Sequence, residues 1–332
     1  MNNSMATIQP VYDYYSAIEA QPVEWLWYPF IPYGKITLLQ GDPGEGKSTF
    51  ALNLAALLTR GGQIPGESAT FFPQNVIYQS DEDGKEDTIK PRLIAAGADC
   101  SKVAFINDED DPVTLDDERI QRCIKETGAR LLILDPLQSF LRQEGEMQSA
   151  VKVRGLMRRL SVIAAEYNCA ILLIGHLNKA SGGKVLYRGL GSIDITAIAR
   201  SVLMLTRDKD NSNIRYMYQV KSSLAPEGSC IAFMFEPEKG FRWLGKCRIQ
   251  DEQLDVGSTK TTKREQAKEV LRILLSAGDL KSTDVFEQMQ NLGISERTIR
   301  TAEKELGVFS YRLNNTWYMS LEQEGRRNGK AV

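Results

Sequence analysis

A glycine-rich stretch, Gly41-Asp-Pro-Gly-Glu-Gly46-Lys47-Ser48, follows the apolar run Ile36 to Gln40 and precedes a segment rich in small residues (Ala51, Ala55, Ala56). Strand, tight turn and helix in that order leave few folds open. Glycines let successive backbone N–H groups turn inward on an anion. A helix starting near Lys47 adds the positive end of its dipole. The spacing predicts a phosphate-binding loop, with Gly41, Asp42, Pro43, Gly44, Glu45 and Gly46 as the cradle. Lys47 would reach the β- and γ-phosphates, and Ser48 would ligate Mg²⁺. ATP and Mg²⁺ are the expected ligands.

The rest of the chain has a rhythm. Apolar runs at 36–40, 76–80, 103–107, 131–135, 170–175 and 202–206 alternate with helical patterns at 47–60, 86–97, 116–127 and 148–167. Continuous apolar strands between helices predict an α/β fold with a mainly parallel sheet covered on both faces. After residue 206 only strand patterns follow, at 216–221, 231–235 and 240–244, as expected of antiparallel strands added at the sheet edge. Residues 1–30 read as a lead-in arm. Its aromatics (Tyr12, Tyr14, Tyr15, Trp25, Trp27, Tyr28, Phe30) would pack on the core or on a neighbouring subunit, with base stacking by Trp25 or Trp27 as the alternative. The core is expected over 31–246.

Residues 247–262 are polar and read as a linker. Three helices are expected beyond it, at 263–277, 282–291 and 296–306. The third has Ser295 as its N-cap, and Ile294 and Ile299 as a hydrophobic staple. Two strands, 309–313 and 316–321, flank Asn314-Asn315, a pair suited to a two-residue hairpin turn. This is the outline of a winged helix-turn-helix domain over 263–321, followed by a disordered tail, 322–332.

Composition narrows the classes. A chain of 332 residues has room for about two domains. Its 42% hydrophobic and 25% charged residues suit a soluble globular protein. Five scattered cysteines and a single histidine disfavour a structural zinc site or a disulfide framework. Reduced thiols, no signal-peptide pattern and no bilayer-length apolar run point to the cytoplasm, away from membranes. The net charge is −2, and residues 258–332 hold 13 Lys/Arg against 10 Asp/Glu. That excess is too small to establish nucleic-acid binding by itself.

Several strand ends carry chemistry. In a parallel sheet the C-terminal ends of the strands face the crevice that holds the phosphate loop. The run 76–80 ends in Asp81, Glu82 and Asp83. Glu82 is the preferred candidate to orient a water for attack on the γ-phosphate, with Asp81 and Asp83 competing and helix capping as the plain alternative. Leu131 to Leu134 is capped by Asp135, the Walker B form, expected to hold Mg²⁺ through water. His176 ends the run 171–175, where it could sense the γ-phosphate or simply be a satisfied strand-end histidine. The loop 178–192 carries Lys179, Lys184 and Arg188 with no acid before Asp194, suited to following a phosphodiester backbone. Arg200 and Lys221 are isolated cations, either surface or intramolecular ion-pair residues, or groups reaching a neighbouring subunit's γ-phosphate. Helix 296–306 would expose Arg297, Arg300 and Lys304 opposite Ile299 and Ala302, the form of a recognition helix. A protein-binding face is the alternative.

Taken in order, these motifs resemble the RepA-like ATPases of the RecA/DnaB superfamily, which are encoded by plasmids, phages and integrated mobile elements. The similarity runs over about 22–245. It rests on Trp25-Leu-Trp27, Ile31 to Lys35, Gly41 to Thr49, Glu82-Asp83-Gly84, Pro91-Arg92-Leu93, Leu134-Asp135-Pro136-Leu137, His176 to Lys179, Arg188 to Ser192, Ala199-Arg200-Ser201 and Lys221 to Gly228. The resemblance implies a hexameric ring with ATP at subunit interfaces, typically a replicative DNA helicase. On that pattern Lys47, Ser48 and Thr49 bind nucleotide and Mg²⁺, Glu82 is the catalytic base, Asp135 the Walker B acid and His176 the sensor. Arg200 is the arginine finger and Lys221 a second cation acting across the interface. Lys179, Lys184 and Arg188 face single-stranded DNA in the channel. The appended C-terminal domain departs from the compact plasmid helicases. Two other functions stay open: a filament-forming recombination or repair ATPase, and a nucleotide-gated regulator that binds duplex DNA through the winged helix.

Overall fold

The structure is a computed structural model, and it describes residues 12–64, 67, 70–141, 150–176, 193–236, 239–247, 263–276 and 278–321. The strands are β1 (Trp25–Trp27), β2 (Ile31–Pro32), β3 (Ile36–Gly41), β4 (Gly62–Gln63), β5 (Thr70–Phe71), β6 (Val76–Ser80), β7 (Val103–Ala104), β8 (Leu131–Asp135), β9 (Ala170–His176), β10 (Ser201–Arg207), β11 (Ile214–Ser222), β12 (Cys230–Glu236) and β13 (Gly240–Cys247). The helices among them are α1 (Lys47–Arg60), α2 (Lys90–Ala95), α3 (Glu118–Thr127), α4 (Ala150–Glu166) and α5 (Ile193–Ile198).

Nine strands form one sheet in the order β13-β12-β11-β10-β3-β9-β8-β6-β7. From β10 to β7 neighbouring strands run parallel, and β11, β12 and β13 extend the sheet as an antiparallel meander. Side chains alternate across the pleat. Leu39, Ile133, Leu172 and Ile174 therefore join α1 in one core. Leu38, Leu132, Leu134, Ile171 and Leu173 meet α3 and α4 in a second. Both faces are covered, which is why these strands are apolar throughout rather than alternating.

Local chemistry explains the differences in element length. The helical pattern at 86–97 divides into a π-turn over Lys85–Ile89 and α2, which restarts at Lys90 with Pro91 in its first turn. Proline has no N–H to donate and suits that position. The run 103–107 pairs only over Val103–Ala104. Beyond it the Ile106 N–H turns to the buried Gln79 Oε1 (2.8 Å) instead of the ladder. The α3 helix starts later than the pattern suggested, because the Asp117 carboxylate accepts from the Arg119 N–H and caps it.

Trp27 is fully buried among Phe30, Phe50, Phe71 and Trp243. It is a core residue and has no face left for a nucleobase. Trp25 meets Tyr28 edge to face. The β1–β2 pairing carries this part of the lead-in arm across residue 30 into the body of the protein. Residues 1–11 lie outside the described residues, as do the expected linker apart from Cys247 and the expected tail.

Beyond the linker come α6 (Lys263–Ser276), β14 (Leu280–Lys281), α7 (Ser282–Asn291), α8 (Glu296–Leu306), β15 (Val308–Leu313) and β16 (Thr316–Leu321). Ser295 caps α8 by accepting from the Thr298 N–H, and Ile294 and Ile299 are both buried at its start. Asn314 and Asn315 both have positive φ, +46° and +67°, as a two-residue hairpin turn requires. The two-residue strand β14 pairs with β16 and completes a three-stranded sheet. These elements share their own apolar cluster, built on Val270, Leu271, Val285, Met289 and Ile299.

Candidate nucleotide site

The loop 42–46 joins the C-terminal end of β3 to the first turn of α1. Gly44 and Gly46 have φ of +83° and +85°, the left-handed region that side chains avoid. A Cβ on Gly41 would lie 2.8 Å from the Leu205 carbonyl oxygen, so β10 can approach β3 only at a glycine. Gly46 is the N-cap of α1 and offers no side chain to satisfy it, and no acidic residue sits in the first turn. The N–H groups at the start of α1 have no intrahelical acceptors, and nothing in the first turn offsets the helix dipole.

Lys47 is buried beside this loop. Its ammonium donates to the carbonyls of Gly41 (2.8 Å) and Asp42 (3.0 Å). Burial lowers its pKa, opposed by the negative charges of Asp135, Glu45, Asp42 and Glu82. The ammonium is thus held by carbonyl oxygens within the field of four carboxylates. An anionic ligand that brings charge to it would relieve its desolvation.

The sheet register aligns the other strand ends. Gly41 pairs with His176, and Ser80 with Asp135. One strand, β9, lies between the phosphate-loop strand and the Asp135 strand. Asp135 is buried, and Oδ2 accepts a 2.6 Å hydrogen bond from the Tyr78 hydroxyl. Burial first, and then the Asp135 charge, raise the Tyr78 pKa well above its usual value. Tyr78 therefore stays a hydrogen-bond donor that fixes one oxygen of Asp135.

Among the three carboxylates after β6, Arg92 takes Asp83 in an ion pair (2.8 Å). The Asp81 N–H donates to the Asp135 carbonyl. Among the described residues no side-chain hydrogen bond or ion pair engages Glu82, which is exposed. Of these carboxylates, it is Glu82 whose charge acts on Lys47. His176 sits beside Gly41 by register.

Two cations near the loop had no motif to announce them. Arg207, at the end of β10, donates to the Gly44 carbonyl (2.9 Å) and lies 3.9 Å from the Glu45 carboxylate. Arg215, on β11, stands close to Gly46. Burial lowers the Arg215 pKa, and the Arg207 charge lowers it further. The signal was the Arg207↔Arg215 pairing of two antiparallel strands, which only the sheet register reveals.

Arg200 lies elsewhere. Its N–H donates to the Ile36 carbonyl, and the next residue, Ser201, pairs with Thr37. It is therefore at the far end of β3 from Gly41, about 17 Å away at roughly 3.3 Å per residue. It is exposed. Lys221 is in the same region but is tied within its own chain. Its ammonium donates to the Thr196 and Ala197 carbonyls, both at 2.8 Å, and burial pushes its pKa down to about 8. These bonds fasten the end of α5.

A cavity of about 580 Å³ opens at this far end, lined by Lys35, Ile36, Arg154, Ala197, Arg200 and Glu287. The Arg154–Glu287 ion pair (2.8 Å) links α4 to α7 across it. The cavity is not the nucleotide site: the glycines, Lys47 and Asp135 all lie at the opposite edge of the sheet.

Lys179, Lys184 and Arg188 lie outside the described residues. Arg297, Arg300 and Lys304 are exposed on one helix, α8. Arg300 is paired with Glu296 on that helix and lies over the Phe286 ring.

The donor set fits a Mg²⁺–nucleotide ligand. Mg²⁺ takes few protein ligands and draws the rest from phosphates and water. Ser48 and Asp135 supply that kind of partial set. Among the described residues no group of three or more His, Cys, Asp or Glu could hold a metal ion alone.

Comparison with known proteins agrees with this geometry. Residues 7–182 match the family model of the AAA domain, more than half of the chain. The chain belongs to the AAA domain family. The DNA repair protein RadA of Halalkalibacterium halodurans is 30% identical over 165 residues, covering 48% of this chain and 32% of that protein. The RadA of Streptococcus pneumoniae is 30% identical over 149 residues, covering 44% and 31%. The chain thus spans about a third of the length of these relatives. Among solved structures, a KaiC-like protein from Pyrococcus horikoshii OT3 superposes with a TM-score of 0.50 at 21% identity, over 67% of this chain and 99% of that one. A DnaB-like replicative helicase superposes with a TM-score of 0.51 at 16% identity, over 66% and 62%. The fold is that of a RecA-like core, and family and geometry together support an ATP-hydrolysing P-loop enzyme. Among the described residues no helix is long and apolar enough to cross a membrane.

Proposed function

We propose that this AAA-domain protein is an ATP-driven DNA helicase or translocase that works as a ring, expected to be a hexamer, in replication of a plasmid, phage or integrated mobile element. One observation carries the reading. Gly44, Gly46, Lys47, Asp135 and Glu82 gather at the C-terminal ends of the parallel strands, whereas Arg200 is exposed beside the opposite end of β3. Arg200 cannot reach the phosphates of its own chain, but a second copy could present it to them.

In this mechanism the N–H groups of Gly44 to Thr49 and the Lys47 ammonium hold the triphosphate of ATP. Ser48 and Asp135 would hold Mg²⁺, which would supply charge neutralisation at the phosphate oxygens. Glu82 orients the attacking water, and Arg200 of the neighbouring copy meets the charge that develops on the γ-phosphoryl group. His176, at the end of the neighbouring strand β9, would report whether that group is present. The contact that makes and breaks at Arg200 shifts one copy against the next and moves the segment bearing Lys179, Lys184 and Arg188 along single-stranded DNA. The C-terminal elements, read as a winged helix, offer Arg297, Arg300 and Lys304 to duplex DNA.

Strand displacement on a forked duplex, run with mass measurement of the assembly, tests the proposal. ATP-dependent displacement by a closed oligomer is expected. The identity with RadA favours a second reading, a repair or recombination ATPase. Filaments on single-stranded DNA, with DNA-stimulated hydrolysis but no displacement, would replace the first reading with the second.

A further inference from the structure

Cys230 opens β12, Cys247 closes β13, and the two stand directly opposite in the antiparallel ladder. Opposed residues in such a ladder have Cα atoms about 4.5–5.5 Å apart, inside the roughly 4.4–6.8 Å span that a disulfide accepts. Their sulfurs are 2.7 Å apart, and both residues are half-buried. The other cysteines lie apart from this pair in exposed, half-buried and core positions, at Cys100, Cys123 and Cys169. We propose that Cys230 and Cys247 form a reversible dithiol–disulfide pair, closed by exchange with a low-molecular-weight disulfide such as oxidised glutathione and reopened by the reduced thiol.

The two thiols are hydrogen-bonded to each other. Their hydrogen bond holds the Cys247 thiol below its usual range and raises that of Cys230. Cys247 is therefore the attacking sulfur. Its thiolate attacks one sulfur of glutathione disulfide; that S–S bond breaks, a mixed disulfide forms and one glutathione thiolate leaves. Cys230 gives its proton to the departing thiolate and attacks the Cys247 sulfur. The second glutathione leaves as a thiolate and takes a proton from water. The two cysteines lose two electrons and become the disulfide, and the glutathione disulfide gains them.

The site has a structural consequence. Strand β13 is one of the two edge strands of the large sheet, and Cys247 is its last residue, before the stretch that leads to α6. A covalent link here closes a short loop, the two cysteines being 17 positions apart. It restricts the unfolded chain and pins the strand end from which the chain departs.

The test equilibrates the full chain with graded mixtures of reduced and oxidised glutathione, blocks free thiols with an alkylating agent and maps the peptides by mass spectrometry. The expected product joins the peptides of Cys230 and Cys247 with the loss of two hydrogens, and excess reduced glutathione reverses it. The melting temperature of the oxidised chain should rise by about 5 °C. In Cys230→Ser, Cys247 should stop at the glutathione mixed disulfide, with no rise in melting temperature. Alkylation of both residues at excess oxidised glutathione would overturn the proposal, as would a stable mixed disulfide on Cys247 in the native chain.

Discussion

At the scale of single residues, the account depends on Lys47, Asp135, Tyr78 and Glu82. Lys47→Ala should remove nucleotide binding and cut ATP turnover by about a hundredfold or more, because the ammonium held in the cradle is lost. Glu82→Gln should bind nucleotide normally and lose about a hundredfold to ten-thousandfold in turnover. A fluorescent nucleotide and a phosphate-release assay separate the two effects. If Asp83→Asn gave the Glu82 result instead, the Arg92–Asp83 pair would not be the structural contact described here. Tyr78→Phe removes the hydroxyl that donates to the buried Asp135 carboxylate and should cost about 1–3 kcal/mol of stability by urea unfolding. An unchanged midpoint would show that the hydroxyl holds nothing. The glycines, Lys47 and Asp135 were legible in the sequence because their spacing carries the chemistry. Tyr78, Arg207 and Arg215 were not. Each reaches the site by standing beside a residue far away in the chain.

The element scale shows the same division. Apart from the run 103–107, strands of the parallel sheet with continuous apolar runs and α1 with its small residues were legible nearly to their ends, because a doubly covered strand and an uncapped, glycine-led helix have distinct patterns. The π-turn before Pro91, the short β4–β5 pairing and the two-residue β14 depend on tertiary partners, so local pattern could not fix them. Cys230 and Cys247 read as scattered thiols for the same reason: the β12–β13 register brings them together. Lys221 shows what packing does to a cation. Its folded pKa, about 8, lies below the unfolded value of about 10.4. Below pH 8 both states carry the proton. Between about 8 and 10.4 the unfolded chain binds it more, so this group makes stability rise with pH across that window. Denaturation of the native chain and of Lys221→Met at pH 7.5 and pH 10 checks this. The native chain should gain on the variant at the higher pH, and a constant difference would refute the burial of the amine.

At the scale of the whole molecule, the nucleotide edge and the Arg200 end are separated by the length of β3, and the C-terminal elements lean on the Arg200 end through Arg154 and Glu287. The proposal that a second copy completes the triphosphate site rests on that separation. The sequence singles out Arg200 through its resemblance to the RepA-like ATPases, but only the sheet gives its distance from the phosphate loop of its own chain. The most direct measurement mixes two inactive chains, Glu82→Gln and Arg200→Ala, and follows ATP turnover with single-stranded DNA. Where the first chain lends its Arg200 to the intact Glu82 of the second, hydrolysis should return at a fraction set by the mixing ratio. If the mixture stays as inactive as its components while both variants still co-assemble, the site is not shared and the account is wrong.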